Sequence, residues 1–150
     1  MNYELEIEIE KSRDHVAELF GDPANLAFWQ PGFQSIEEIG EKEGQLQSRL
    51  LYVNRGRDVV MIETVISDNL PDEFSAQYEA DGMVMTVRNY FHEAGPEKTR
   101  WVSENEASVS GFMMRLVTIL MPGCFKKESW KFMENFKAFA ETGADVREKA

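Results

Sequence analysis

The apolar residues of this chain change their spacing once, near residue 110, and that change limits what it can fold into. Before it, apolar and polar residues alternate. Tyr3, Leu5, Ile7 and Ile9 fall on one side of the first segment, and Glu4, Glu6, Glu8 and Glu10 on the other. A period of two is that of a strand with one wet face. A row of glutamates on that face discourages pairing with other chains. Six further strands are expected at residues 33–39, 45–53, 58–67, 73–80, 83–93 and 99–109. Turn sequences separate them, among them Asn54-Arg55-Gly56-Arg57, Leu70-Pro71-Asp72 and Asp81-Gly82. After residue 110, Phe112, Leu116, Ile119 and Leu120, then Phe125, Phe132, Phe136 and Phe139 recur at helical spacing.

Two short helices are expected between the first two strands. Ser12 caps one, and Gly21 ends it; Asp22 caps the other, with Pro23 in its first turn. Pro122-Gly123 should break or kink the last helix, because proline removes a backbone donor and collides with the preceding turn. Residues 112–121 would then be either an arm on a cavity mouth or part of a static kinked helix. Gly143 is the expected C-cap, and residues 145–150 are expected to fray.

Hairpin-linked strands followed by segregated helices mean α+β, with a curved antiparallel sheet of six to seven strands around a long C-terminal helix. A helix lying in the curl of a sheet does not always fill it, so a cavity is expected between them. The order, together with the run from Gly21 through Asp22-Pro23, Trp29 and Pro31-Gly32 to Phe33, resembles the helix-grip superfamily. That group includes START lipid-transfer domains, pollen-allergen-like proteins and polyketide-cyclase-like bacterial proteins (SRPBCC). The Leu70–Phe74 corner and the strand start at Lys98–Trp101 add to the likeness. It implies a single domain over residues 1–150 and a cavity for a hydrophobic ligand. It carries over no catalytic residue.

Composition narrows the partners. Of the residues, 43% are hydrophobic and 11% aromatic, which excludes a disordered chain. The formal charge of −11 argues against nucleic acid and against an anionic membrane as partner. Residues 1–50 carry 4 basic and 11 acidic side chains, whereas residues 101–150 carry 7 of each. No segment is apolar for long enough to span a bilayer, and no leader peptide is expected. The single cysteine, Cys124, excludes a disulfide framework. A cytoplasmic protein without stable membrane insertion is the expectation.

Catalytic motifs are missing. His15 and His92 lie far apart, and no cluster has metal-ligand spacing, so no metal and no cofactor are expected. His92 reads as an exposed strand residue, and Cys124 as a small filler at the helix break. The surplus of soft apolar side chains is more informative: ten phenylalanines and eight methionines suit an adaptable apolar cavity. Tyr78, Met85, Trp101, Phe112, Leu116 and Phe132 are the expected lining. In the 45–66 hairpin one face holds Glu63 and the other Arg49, so one of the two charges is brought to the cavity, where it needs a partner or a ligand. All three tryptophans, Trp29, Trp101 and Trp130, are expected to be largely buried. The leading reading is therefore a binding protein for a small hydrophobic or amphipathic molecule, a lipid or an aromatic metabolite. A polyketide-cyclase/dehydrase-like enzyme using a cavity carboxylate, Arg49 or His92 is a second. A cochaperone-like interaction domain, docking through its acidic N-terminal strand face, is a third.

Overall fold

The computed structural model describes residues 1–148. Among them seven strands form: β1 (Asn2–Ile9), β2 (Phe33–Lys42), β3 (Gln45–Asn54), β4 (Arg57–Asn69), β5 (Glu73–Ala80), β6 (Met83–Gly95) and β7 (Lys98–Val109). The helices are α1 (Arg13–Gly21), α2 (Leu26–Trp29), α3 (Phe112–Leu120) and α4 (Cys124–Thr142). The strands make one antiparallel sheet in the order β1-β7-β6-β5-β4-β3-β2, so β1 and β2 are its edges. All six strands expected between residues 33 and 109 are present, several of them longer than expected.

The short helices start where capping chemistry dictates. Ser12 Oγ accepts the His15 N–H at 3.3 Å, and Asp22 Oδ1 accepts the Ala24 N–H at 2.9 Å. Gly32 follows them with φ +81°, and an added Cβ there would meet the Val53 carbonyl oxygen at 2.4 Å. Only glycine allows the chain to enter β2 this close to β3.

Alternation decides which side chains face inward. On β7 these are Thr99, Trp101, Ser103, Asn105 and Ala107, all buried. Register then places Phe91, Asn89, Val87 and Met85 of β6 beside Trp101, Ser103, Asn105 and Ala107, and Met83 beside Val109. The core centres on Phe20 of α1, whose ring packs against those of Trp29, Phe74, Phe91, Trp101 and Phe136 at 5.1–5.9 Å. Edge-to-face packing of this kind adds to the gain from burial alone. Trp29 and Trp101 are buried as expected, while Trp130 is half-buried at the edge of the cluster.

The C-terminal helix lies along β1. Tyr3 Oη and Ser129 Oγ are 2.8 Å apart, the Lys137 ammonium reaches the Glu8 carbonyl, and the Glu10 N–H donates to Glu141 at 2.7 Å. The helical pattern does break at Pro122-Gly123, giving two separate helices. Gly143 closes α4 with φ +74°. The expected fraying of residues 145–150 lies partly outside the described residues. Within them Arg147 binds Asp145 at 2.6 Å and lies 4.9 Å from the centre of the Phe28 ring.

Candidate functional site

Moving along the sheet from the Phe20 cluster towards α3, the inward side chains change character. Trp101 and Phe91 give way to Asn89 and Ser103, then to Val87 and Ala76, then to Met85, Tyr78, Glu63 and Ser48, and finally to Met83, Ala80, Met61 and Leu50. Met85, Tyr78, Glu63, Met61, Met83 and Ala80 remain only half-buried although they lie on the inner face. Across from them, α4 runs on from Phe136 to Phe132. Phe132 meets Trp29 edge-on at 6.4 Å, yet 36% of its surface stays accessible.

The hairpin question has one answer. Register puts Glu63 opposite Tyr78 on one side and Ser48 on the other, on the inner face. Arg49 pairs with Glu37 and Ile62 on the outer face and is exposed. Two residues on opposite faces of one pleated hairpin cannot both turn inward. Glu63 forms no ion pair among the described residues. Burial pushes its carboxyl above the ordinary range, and the Tyr78 hydroxyl only partly offsets this. Tyr78 is held well above the usual phenol value by burial, and then by the charge and hydrogen bonding of Glu63. Tyr52 is raised by burial and then by the charge of Glu63, and its hydroxyl donates to Gln30 Oε1 at 2.6 Å. The arrangement offers a carboxyl group that changes protonation above its normal range, beside two phenols that stay neutral donors.

The other expected lining residues divide. Tyr78 and Met85 are paired on the inner face, and Phe132 of α4 packs against Trp29. Leu116 is half-buried on α3. Trp101 belongs instead to the packed core, with its indole N–H donating to Asn89 Oδ1 at 3.0 Å. Phe112 is 78% exposed, on a helix none of whose residues is fully buried. His92 pairs with Arg100 on the outer face and is exposed. Gln30 and Tyr52 were not expected in the site. Tyr52 lies on the same hairpin face as Glu63, a signal the alternation contains. Gln30 is brought in only by the Gly32 turn, which leaves no periodic trace. The indole N–H of Trp29 is buried without a partner among the described residues.

No family model matches the chain, and no curated protein matches its sequence. Solved structures do match. A di-domain aromatase/cyclase, StfQ, from the steffimycin biosynthetic pathway superposes with a TM-score of 0.77 at 13% identity, over 94% of this chain and 45% of that one. The Zhui aromatase/cyclase from a Streptomyces species gives 0.72 at 15% identity, over 93% of each chain. A START superfamily protein from Mycobacterium smegmatis gives 0.65 at 17% identity, over 89% of this chain and 94% of that one. The chain has the helix-grip fold. In helix-grip terms, α4 is the gripping helix, and the aromatic cluster fills one end of the grip. The end with Glu63 and Tyr78 carries the half-buried side chains of the inner face. Among the described residues no group of three side chains is placed to hold a metal ion. No described helix is long and apolar enough to cross a membrane.

Proposed function

We propose that the chain binds a small, mostly apolar molecule carrying one polar group, in the open end of the grip. The observation that carries this is Glu63, turned inward opposite Tyr78 with no cation to pair with. An unpaired carboxylate in such a place costs the fold free energy, and a ligand hydroxyl or amine would recover part of it. Met61, Met83, Met85 and Phe132 supply soft apolar contact around it, with Leu116 closing from α3. The START superfamily and aromatase/cyclase neighbours agree with a ligand of this kind.

Native mass spectrometry of the chain purified under gentle conditions tests the reading. A bound small molecule, lost or weakened in Glu63→Gln, is the expected result. An interior that takes up neither a cellular molecule nor an apolar fluorescent probe would sink it.

A second reading rests on the same pair. Beside a neutral phenol, a carboxyl with a raised pKa is suited to moving a proton on a bound aromatic or polyketide-like substrate, as an aromatase/cyclase would need. Arg49 and His92 take no part in it, since both face outward. The two readings separate on one variant. If Glu63→Gln keeps the ligand but abolishes its conversion, the site is catalytic; loss of the ligand itself indicates binding alone.

A further inference from the structure

The sheet end that carries the open interior also carries an apolar and basic rim. Helix α3 and the residue after it read Phe-Met-Met-Arg-Leu-Val-Thr-Ile-Leu-Met, yet none of α3 is buried. Phe112, Met113, Ile119, Leu120 and Met121 are 60–78% exposed. A helix that is apolar nearly all round is normally covered. Its position is fixed by the β5–β6 turn: the Ser110 N–H donates to the Gly82 carbonyl at 2.9 Å, and Met114 packs on Gly82, where a Cβ would meet it at 2.7 Å.

The β3–β4 hairpin reaches the same end. Ile62 is the first β4 residue paired with β5, so the stretch from Val53 to Met61 projects past the Asp81-Gly82 turn. Val53, Val59 and Val60 are exposed on that projection, around Arg55 and Arg57. The two features place Arg55, Arg57, Arg115, Lys126 and Lys127 at one end of the molecule, and none of these forms an ion pair among the described residues. Lys127 lines a shallow cleft with Met121. Against them stand Asp58, Asp81 and Glu128, the last held 3.4 Å from Lys131. This is a local positive excess on a chain whose formal charge is −11. Screening limits the repulsion from the acidic remainder to about 8 Å at physiological salt.

We propose that this end docks reversibly on an anionic lipid bilayer. The apolar residues of α3 and the hairpin tip enter the interface, and the basic side chains meet the phosphate headgroups. Charge complementarity favours a lipid surface, because exposed apolar side chains ringed by Lys and Arg match the boundary between acyl chains and anionic headgroups. The acidic remainder permits only this orientation, which turns the open end of the grip towards the bilayer. Docking needs no ligand in the interior, so it stands or falls separately from the proposed function.

Co-sedimentation of the full chain with vesicles is the test. The chain should pellet with phosphatidylcholine–phosphatidylglycerol vesicles, far less with phosphatidylcholine alone, and less as salt is raised. Lys126→Glu with Lys127→Glu should weaken the partitioning by at least about tenfold. Ile119→Ser with Leu120→Ser should do the same by roughly tenfold, without lowering the melting temperature. Arg55→Glu with Arg57→Glu should also weaken it, whereas Lys42→Glu at the opposite end should not. The proposal is overturned if the chain fails to bind anionic vesicles. It is equally overturned if Lys42→Glu weakens binding as much as the rim variants do. A concentration-dependent dimer in analytical ultracentrifugation, abolished by Ile119→Ser with Leu120→Ser and with no vesicle binding, would make the rim an interface between copies instead.

Discussion

Around Phe20 the concave face is closed by rings from α1, α2, α4, β5, β6 and β7, and Phe91, Phe136 and Ile9 have at most 1% of their surface left to solvent. A few residues further along β5 and β6, and on the neighbouring β4, Tyr78, Met85 and Glu63 face the same way and are only half-buried. Strand, pleat and register are continuous between the two regions. What differs is what lies opposite: rings from α1, α2 and the middle of α4 at one end, and the N-terminal half of α4, followed outward by a separate helix with no fully buried residue, at the other. Sheet geometry alone therefore does not decide whether a face becomes core or site; the covering elements do.

The contrast can be broken first at the packed end. Phe136→Ala should cost about 3–5 kcal/mol, since Phe136 is fully buried among four other rings. Met85→Ala at the open end should cost under about 1.5 kcal/mol in the same denaturant titration, because its environment is already incomplete. Similar losses would mean that both ends are core. The next test fills the open end. Ala80→Phe should reduce uptake of an apolar fluorescent probe by about tenfold while moving the denaturation midpoint little; parallel losses would mark Ala80 as packing.

The third test uses pH. Burial raises the Glu63 pKa, so above the ordinary carboxylate range, about pH 4, the native state keeps a proton that the unfolded chain has lost. Native proton uptake then exceeds that of the unfolded chain, and stability falls as pH rises through the window up to the raised pKa. Glu63→Gln removes this loss. Its melting temperature should exceed that of the parent near neutral pH and converge with it at about pH 4. A gap that does not change with pH would show that Glu63 is not desolvated. The smallest effect is local. Amide exchange in α3 should be faster than in the middle of α4, and ligand should slow it if α3 closes on the interior. Equal protection in both helices, unchanged by ligand, would leave a static kink.

Much of the fold could be read from the sequence because its signals are periodic. The alternation from Tyr3 to Ile9, the turn at Asp81-Gly82 and the break at Pro122-Gly123 each report on a local conformation, and each is found where its residues put it. The inner face of the 45–66 hairpin was not legible, because both of its faces are mostly apolar and each holds one charge. Only pairing with β5, whose own inner face is fixed by Ala76 beside Val87, selects Glu63 over Arg49. The exposure of Phe112 escapes the sequence for a related reason. Helical spacing says which residues share a stripe, but not whether anything packs against it. The Phe20 hub left no clear sign either, since its partners come from β5, β6, β7, α2 and α4.

The break at Pro122-Gly123 also bears on how such a molecule can change over generations. Phe112, Met113, Ile119 and Leu120 of α3 lie mostly exposed, so replacing them alters what the surface touches more than it alters the packing beneath. The aromatic end has no such freedom, because each ring there constrains several others. Selection can therefore retune the apolar rim in isolation, while the grip beneath it stays the same.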